Sequence, residues 1–181
     1  MRISPLGIFG AGFELNQAAE WAMQDAALTH PNLICQQANA LFAMGIAHAI
    51  QFGCDCKELY QHIRLWAVDM AIEPKLLDTV DRAADEPPTD YVHQQGWVLV
   101  AFQNALYQLL HATSLEEGVV DTIMRGGDTD TNAAICGALC TVGRRFPPNG
   151  STGCKTAARR PDIRESAIHV WNASGRRMYW S

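Results

Sequence analysis

Residues 126–132 (GGDTDTN) hold the side chains of this chain that are best suited to chemistry. A pair of glycines, which permits tight turns that residues with a Cβ resist, is followed by two carboxylates and two hydroxyls. Asp128, Asp130 and Thr131 can point to one side of such a turn as hard oxygen donors, which Mg²⁺, Mn²⁺ and Ca²⁺ prefer. The segment therefore suggests a divalent-metal site.

The same residues also suit a purely structural role. Asp and Thr are common N-terminal capping residues, and carboxylates are stabilised beside the positive end of a helix. A run rich in small and apolar residues, 133–142, follows the segment and predicts a helix there. A calcium-binding EF-hand loop is a poor fit, because Ala133 stands where glycine is needed and Leu139 where the bidentate glutamate belongs. The local pattern therefore leaves a helix cap and a metal site as alternatives.

The GGDTDTN segment resembles the C-terminal signature of the ADP-ribosylglycohydrolase family, the enzymes related to dinitrogenase reductase-activating glycohydrolase. Other blocks resemble the family in the expected order. They are residues 1–7 (MRISPLG), 29–32 (THPN), 95–97 (QGW) with the apolar stretch after it, and Gly143-Arg144 with Pro147. The resemblance extends over residues 1–148, which we predict to form one partial domain.

This resemblance implies an all-α fold, a compact helical bundle with a two-metal site for Mg²⁺ or Mn²⁺. It implies that Asp128, Asp130 and Thr131 supply metal ligands and that His30 lines the ADP-ribose site. The implied reaction is hydrolysis of the glycosidic bond between ADP-ribose and a modified protein, or a related ADP-ribosyl compound. It identifies no catalytic residue. Without the resemblance, the position of His30 in a turn favours a cap or loop hydrogen bond over a binding role.

The chain departs from the family pattern in its acidic residues. A complete member carries a Gly-Asp block and a Thr/Ser-Asp-Asp motif in its N-terminal part, whereas this chain has no adjacent pair of aspartates. We therefore expect a bundle that is incomplete at its N-terminus and weak or inactive alone, unless a second chain supplies the missing half. The alternative is a non-catalytic helical module that binds ADP-ribose or a protein partner.

The amino-acid composition bears on whether the protein binds nucleic acid or a membrane. The chain has 181 residues, 48% of them hydrophobic, and a formal net charge of −5. An acidic chain argues against nucleic-acid binding, which normally needs a basic surface. We find no signal-peptide pattern, and polar residues interrupt the apolar stretches, so we expect a cytoplasmic protein that does not cross a membrane. The histidines other than His30, such as His48, are expected to be surface or satisfied interior residues.

The periodicity of apolar residues predicts a protein built almost entirely from helices. The predicted helices are 14–28, 33–52, 57–70, 75–84, 96–112, one that begins with Ser114 as its cap, and 131–142. The apolar character of 96–112 on nearly every face predicts a central helix. Residues 149–181 are polar and rich in arginine, and we predict a tail there with a loop or a short helix.

Overall fold

The computed structural model describes residues 2–145, and every regular element in that range is a helix. The predicted all-α class is confirmed. The helices are α1 (Ser4–Gly10), α2 (Leu15–Ala27), α3 (Leu33–Phe52), α4 (Cys56–Asp69), α5 (Pro74–Arg82), α6 (Val98–His111), α7 (Leu115–Met124) and α8 (Thr129–Arg145). The predicted tail and its boundary after residue 148 lie outside the described residues.

Helix α3 begins and ends where the sequence predicts. The side chain of Asn32 caps its start by accepting a hydrogen bond from the N–H of Ile34 at 2.9 Å. Gly53 ends it with a φ of 68° and donates its N–H to the carbonyl of Ala49. Helix α1 was not predicted, because its seven residues are too few to show a helical period.

Helix α3 is the centre of the bundle. It packs against α1, α2, α4, α5, α6 and α8. Small residues permit the close approach: a Cβ at Gly7 of α1 would lie 2.9 Å from the Cβ of Ile46, and one at Gly45 would lie 3.1 Å from Cδ1 of Ile63. Each fully buried Leu or Ile at these contacts contributes roughly 1.5–3 kcal/mol to folding.

Helix α3 is also the one helix within residues 2–145 that is long and apolar enough to cross a membrane, judged by length and composition. Its mean hydropathy is 1.3, and 67% of the segment is buried inside the protein. A central core helix of a folded domain has the same properties.

Helices α6, α7 and α8 carry the candidate site. Helix α6 contacts α8 extensively and has nine buried residues, which confirms its predicted central place. Ser114 caps α7 as predicted, by accepting the N–H of Glu117 at 3.0 Å. Helix α8 returns along α7 after the glycine pair. Arg144, near the end of α8, donates to the carbonyl oxygens of Gln108, Leu109 and Ala112 and so caps the C-terminal end of α6.

Candidate functional site

The turn between α7 and α8 depends on both of its glycines. Gly126 and Gly127 have φ values of 79° and 72°, in the left-handed region that residues with a Cβ rarely adopt. At Gly127 there is a second constraint, since a Cβ there would lie 1.9 Å from the carbonyl oxygen of Tyr91. The loop before α6 therefore fixes the place of the turn, and α8 begins two residues later.

The carboxyl groups of Asp128 and Asp130 meet at the start of α8. The pKa of Asp130 is lowered, first by a hydrogen bond from the carboxyl of Asp128 and then by the backbone N–H of Thr131 at 2.9 Å. Asp130 is exposed, whereas Asp128 and Thr131 are half-buried. The structure thus brings the carboxyl groups of Asp128 and Asp130 together, and Thr131 contacts Asp130 through its backbone N–H in a cap-like arrangement.

A chain of buried polar groups lies behind the turn. The hydroxyl of Tyr91 donates to Oδ1 of Asn104 at 2.8 Å, and Nδ2 of Asn104 donates to Oγ1 of Thr122 at 2.9 Å. Thr122 in turn donates to the carbonyl of Gly118 at 2.7 Å. Burial raises the pKa of Tyr91, which keeps the phenol a neutral donor. These bonds tie the loop, α6 and α7 together beneath the acidic residues.

Arg125 provides a positive charge next to the turn. Its Nε donates to Oδ2 of Asp121 at 2.7 Å, and its guanidinium carbon lies 5.5 Å from the ring centroid of Tyr91. Gln108 donates to the same carboxylate oxygen of Asp121. Arg125 is thereby held over the aromatic ring, immediately before the two glycines.

Sequence reasoning missed Tyr91, Asn104 and Thr122. A usable signal exists for Asn104, which with Gln103 and Gln108 is a polar residue in a largely apolar helix, α6, and is completely buried. A buried amide requires partners, so its presence there indicates a polar network. Tyr91 gives no such signal, because its loop is distant in sequence from the glycines that it contacts.

Asn132 is the buried member of the motif. It is 2% exposed, and its Nδ2 has no hydrogen-bond partner among residues 2–145. Its backbone N–H donates to the carbonyl of Asp128 at 3.0 Å, which places the two residues one helical turn apart. A buried polar atom without a partner costs roughly 1–3 kcal/mol, which a ligand or a rearranged neighbour would recover.

The donor set fits one side of a site for a hard divalent cation. Two carboxyl groups in contact, a hydroxyl and a nearby unpaired amide have the chemistry that Mg²⁺ or Mn²⁺ requires. These residues do not supply a complete coordination shell for the ion. Within residues 2–145, no group of three or more His, Cys, Asp or Glu side chains is arranged to hold a metal ion.

A small apolar cavity lies beside the first turns of α8. Its volume is about 70 Å³, and its lining residues come from α3, α6, α8 and the start of the described chain: Ile3, Ala38, Asn39, Phe42, Val98, Ala101, Phe102 and Ile135. The members from α3, α6 and α8 belong to the N-terminal halves of their helices. The cavity thus lies where these three helices meet.

His30 has local partners. Its Nδ1 lies 2.8 Å from Oγ1 of Thr29, and its backbone N–H donates to the carbonyl of Ala26 at 2.8 Å. The side chain is exposed in the turn between α2 and α3. Within residues 2–145, no hydrogen bond or ion pair joins His30 to the 126–132 segment. The prediction that it binds substrate stays a prediction.

The expectation for His48 was wrong. This residue of α3 is neither a surface residue nor a satisfied interior one, since its Nδ1 is buried and has no hydrogen-bond partner among the described residues. Its ring contacts those of His62, Trp66 and Phe52, with centroids 4.3, 5.3 and 5.0 Å away. Packing among aromatic rings has taken precedence over hydrogen bonding at this position.

Comparison with known protein families agrees with the resemblance noted in the sequence. The family model described as ADP-ribosylglycohydrolase matches residues 1–145. A search among curated proteins finds no match to the chain. The matched range includes all eight helices and the whole of the acidic motif.

Proposed function

Because this chain belongs to the ADP-ribosylglycohydrolase family, we propose that its acidic motif is one side of a divalent-metal site that serves hydrolysis of an ADP-ribosyl glycosidic bond. The observation that carries the proposal is the contact between the carboxyl groups of Asp128 and Asp130, on a turn fixed by Tyr91 and Gly127. The substrate class is an ADP-ribosylated protein or an ADP-ribose-containing small molecule.

In this proposal, Asp128, Asp130 and Thr131 hold Mg²⁺ or Mn²⁺ through oxygen atoms. When bound, the ion orients the ribose hydroxyls and lowers the pKa of a water molecule that attacks the anomeric carbon. The two ionised carboxylates also favour the oxocarbenium-like charge that develops on the ribose.

The proposed ADP-ribose site extends from the acidic motif toward the N-terminal halves of α3, α6 and α8. The apolar cavity lined by residues of these three helices suits an uncharged part of the ligand. We propose that His30, which precedes α3, reaches a ribose hydroxyl or a diphosphate oxygen. His30 is exposed and therefore free to change rotamer on binding.

A second candidate function is binding of ADP-ribose or a protein partner without hydrolysis. The small number of metal ligands favours this second function. Mg²⁺ demands a well-formed octahedral site, and the described residues supply few ligands. Exposed apolar side chains also lie on α7 just before the motif: Val120, Ile123 and Met124 are 51%, 47% and 79% exposed. We propose that a second chain supplies the remaining ligands when hydrolysis occurs.

Calorimetry with ADP-ribose tests the proposal and separates the two functions. We expect ADP-ribose to bind more tightly with Mn²⁺ present than with a chelator, and we expect the Asp128→Asn/Asp130→Asn variant to lose this difference. A binding module that lacks a metal site would give equal affinities in both conditions. In a parallel assay of ADP-ribose released from modified protein, robust turnover by the double variant would contradict the proposed mechanism.

A further inference from the structure

Asn132 is the one residue of the GGDTDTN segment whose side chain is buried, and its amide nitrogen has no partner in the part of the chain that the structure describes. Its α8 neighbours on the inward side, Cys136 and Leu139, are completely buried. Leucine or alanine at residue 132 would satisfy burial without leaving an unpaired donor. The amide is therefore unfavourable in the structure as it stands.

The neighbouring polar groups do not take up this donor. Within residues 2–145, the oxygens of Tyr91, Asn104 and Thr122 form their hydrogen bonds with one another and with the carbonyl of Gly118, and none of them accepts from Asn132. The nearest residue by helical geometry is Asp128, since side chains four residues apart lie on the same face. In the structure, the Asp128 carboxyl is engaged with Asp130 instead.

A bound cation would change this arrangement. The two carboxylates would each turn an oxygen toward the ion and away from the other. Asp130 already accepts an N–H from Thr131 at 2.9 Å, which would orient it as a ligand. Asp128 would need a corresponding donor, because carboxylates that bind metals are normally held by hydrogen bonds from a second layer of residues.

We propose that Asn132 is a positioning residue for the metal site: its buried amide donates to the Asp128 carboxylate when a divalent cation is bound, and it has no acceptor otherwise. This inference rests on the proposed function, because it requires Asp128 to be a ligand. It adds a residue that touches neither the ion nor the substrate and acts through Asp128.

The test compares Mn²⁺ affinity with metal-free stability in Asn132→Leu, which has a similar branched shape and no polar atoms. Asn132→Ala is measured beside it, because it cannot overpack the site. Thr141→Val is the matched control: Thr141 is on the same helix, and its hydroxyl donates to the carbonyl of Gly137 at 2.7 Å, away from the motif. Calorimetry gives the Mn²⁺ dissociation constant, and thermal unfolding in EDTA gives the stability.

We expect Asn132→Leu to weaken Mn²⁺ binding by about 10–100-fold, the usual effect of losing such a residue. Its metal-free unfolding midpoint should equal or exceed that of the parent, because an unsatisfied buried donor has been removed. Asn132→Ala should show the same loss of affinity, and Thr141→Val should keep the parental affinity. Weaker Mn²⁺ binding without a loss of metal-free stability distinguishes a residue that positions a metal ligand from one that stabilises the fold.

Two results would overturn the inference. One is Mn²⁺ affinity within twofold of the parent in both Asn132 variants. The other is a loss of affinity in both variants that is matched by a lower metal-free midpoint in both, which would show that the amide stabilises the fold itself. Failure of the proposed function gives a different result, because the parent protein would then bind no Mn²⁺. The inference about Asn132 would be refuted together with the proposed function.

Discussion

The carbonyl of Tyr91 and the α-carbon of Gly127 lie so close that a Cβ at residue 127 would be 1.9 Å from the carbonyl oxygen. These residues are in different loops, one before α6 and one between α7 and α8. Their contact, together with the hydrogen bond from Tyr91 to Asn104, fixes where the acidic residues begin. The acidic motif is thus held in place by a loop that lies outside it.

Substitution of Gly127 by alanine should displace the motif. The left-handed φ of 72° costs a residue with a Cβ about 1–2 kcal/mol, and the clash with Tyr91 adds to this. We expect Gly127→Ala to lower the free energy of unfolding by about 2 kcal/mol or more and to weaken Mn²⁺ binding. Urea unfolding and calorimetry measure the two effects.

Gly137→Ala is the matched control on α8. A Cβ there would lie 3.6 Å from Cγ2 of Val119, an ordinary contact, and alanine is favoured over glycine inside a helix by about 0.5–1 kcal/mol. We expect the control to be at least as stable as the parent. Equal stability of Gly127→Ala and Gly137→Ala would show that the turn tolerates a Cβ and would refute the steric argument.

Arg144 should contribute more stability than an exposed ion pair. Its guanidinium donates to three carbonyls at the end of α6, where a positive charge is also favoured by the helix dipole. We expect Arg144→Met to cost about 1.5–3 kcal/mol, the range for hydrogen bonds of charged groups. Arg144→Lys should recover only part of this, because an ammonium group cannot reproduce the planar fork.

The control for Arg144 is Arg64→Met. Arg64 pairs with Asp81 at 2.7 Å, with the two side chains 48% and 44% exposed. Exposed pairs contribute about 0–1 kcal/mol. Chemical denaturation of Arg144→Met, Arg144→Lys and Arg64→Met measures how much stability each variant loses. We expect Arg144→Met to lose the most. A cost for Arg144→Met no larger than that for Arg64→Met would mean that the C-terminal end of α6 is adequately hydrated without the guanidinium.

Stability should fall on mild acidification because of His48. Burial lowers the pKa of this imidazole, and the nearby His62 acts in the same direction. The unfolded chain, with a histidine pKa of about 6.5, then binds a proton before the folded protein does. The free energy of unfolding is therefore unaffected above this pH and decreases as pH falls from it through the lowered pKa of the folded state.

Urea unfolding at pH 7.5 and 5.5 measures this dependence. His48→Phe keeps an aromatic ring among Phe52, His62 and Trp66 and should lose less stability between the two pH values than the parent. His93→Gln is the control, because the His93 side chain is 87% exposed, and it should retain the parental dependence. Parallel losses in the parent and His48→Phe would show that other groups cause the acid sensitivity.

The elements of this fold were largely predictable because their ends carry local signals. Asn32 and Gly53 give α3 its bounds, and Ser114 gives the start of α7. For α8 the predicted start was two residues late, because the helix begins at Thr129, directly after the glycine turn. Periodicity alone could not reveal α1, whose seven residues include Pro5 in the first turn.

The candidate site was predictable only in part. The carboxylates and glycines of residues 126–132 are adjacent in sequence, so their local pattern indicated both a turn and a group of oxygen donors. The contact between Tyr91 and Gly127 joins segments that are far apart along the chain, and no period or spacing encodes it. The unpaired amide of Asn132 likewise depends on what the packed helices place around it.

The most direct test of the account is a Mn²⁺ titration of the parent chain and of the Asp128→Asn/Asp130→Asn variant, with unfolding measured in EDTA. The account predicts saturable binding by the parent. In the variant, affinity should fall by more than the roughly 10–100-fold expected for losing a supporting residue, because two ligands are removed. Its metal-free stability should not decrease. Equal Mn²⁺ affinity in the two proteins, or no binding by the parent, would contradict the assignment of these aspartates as metal ligands.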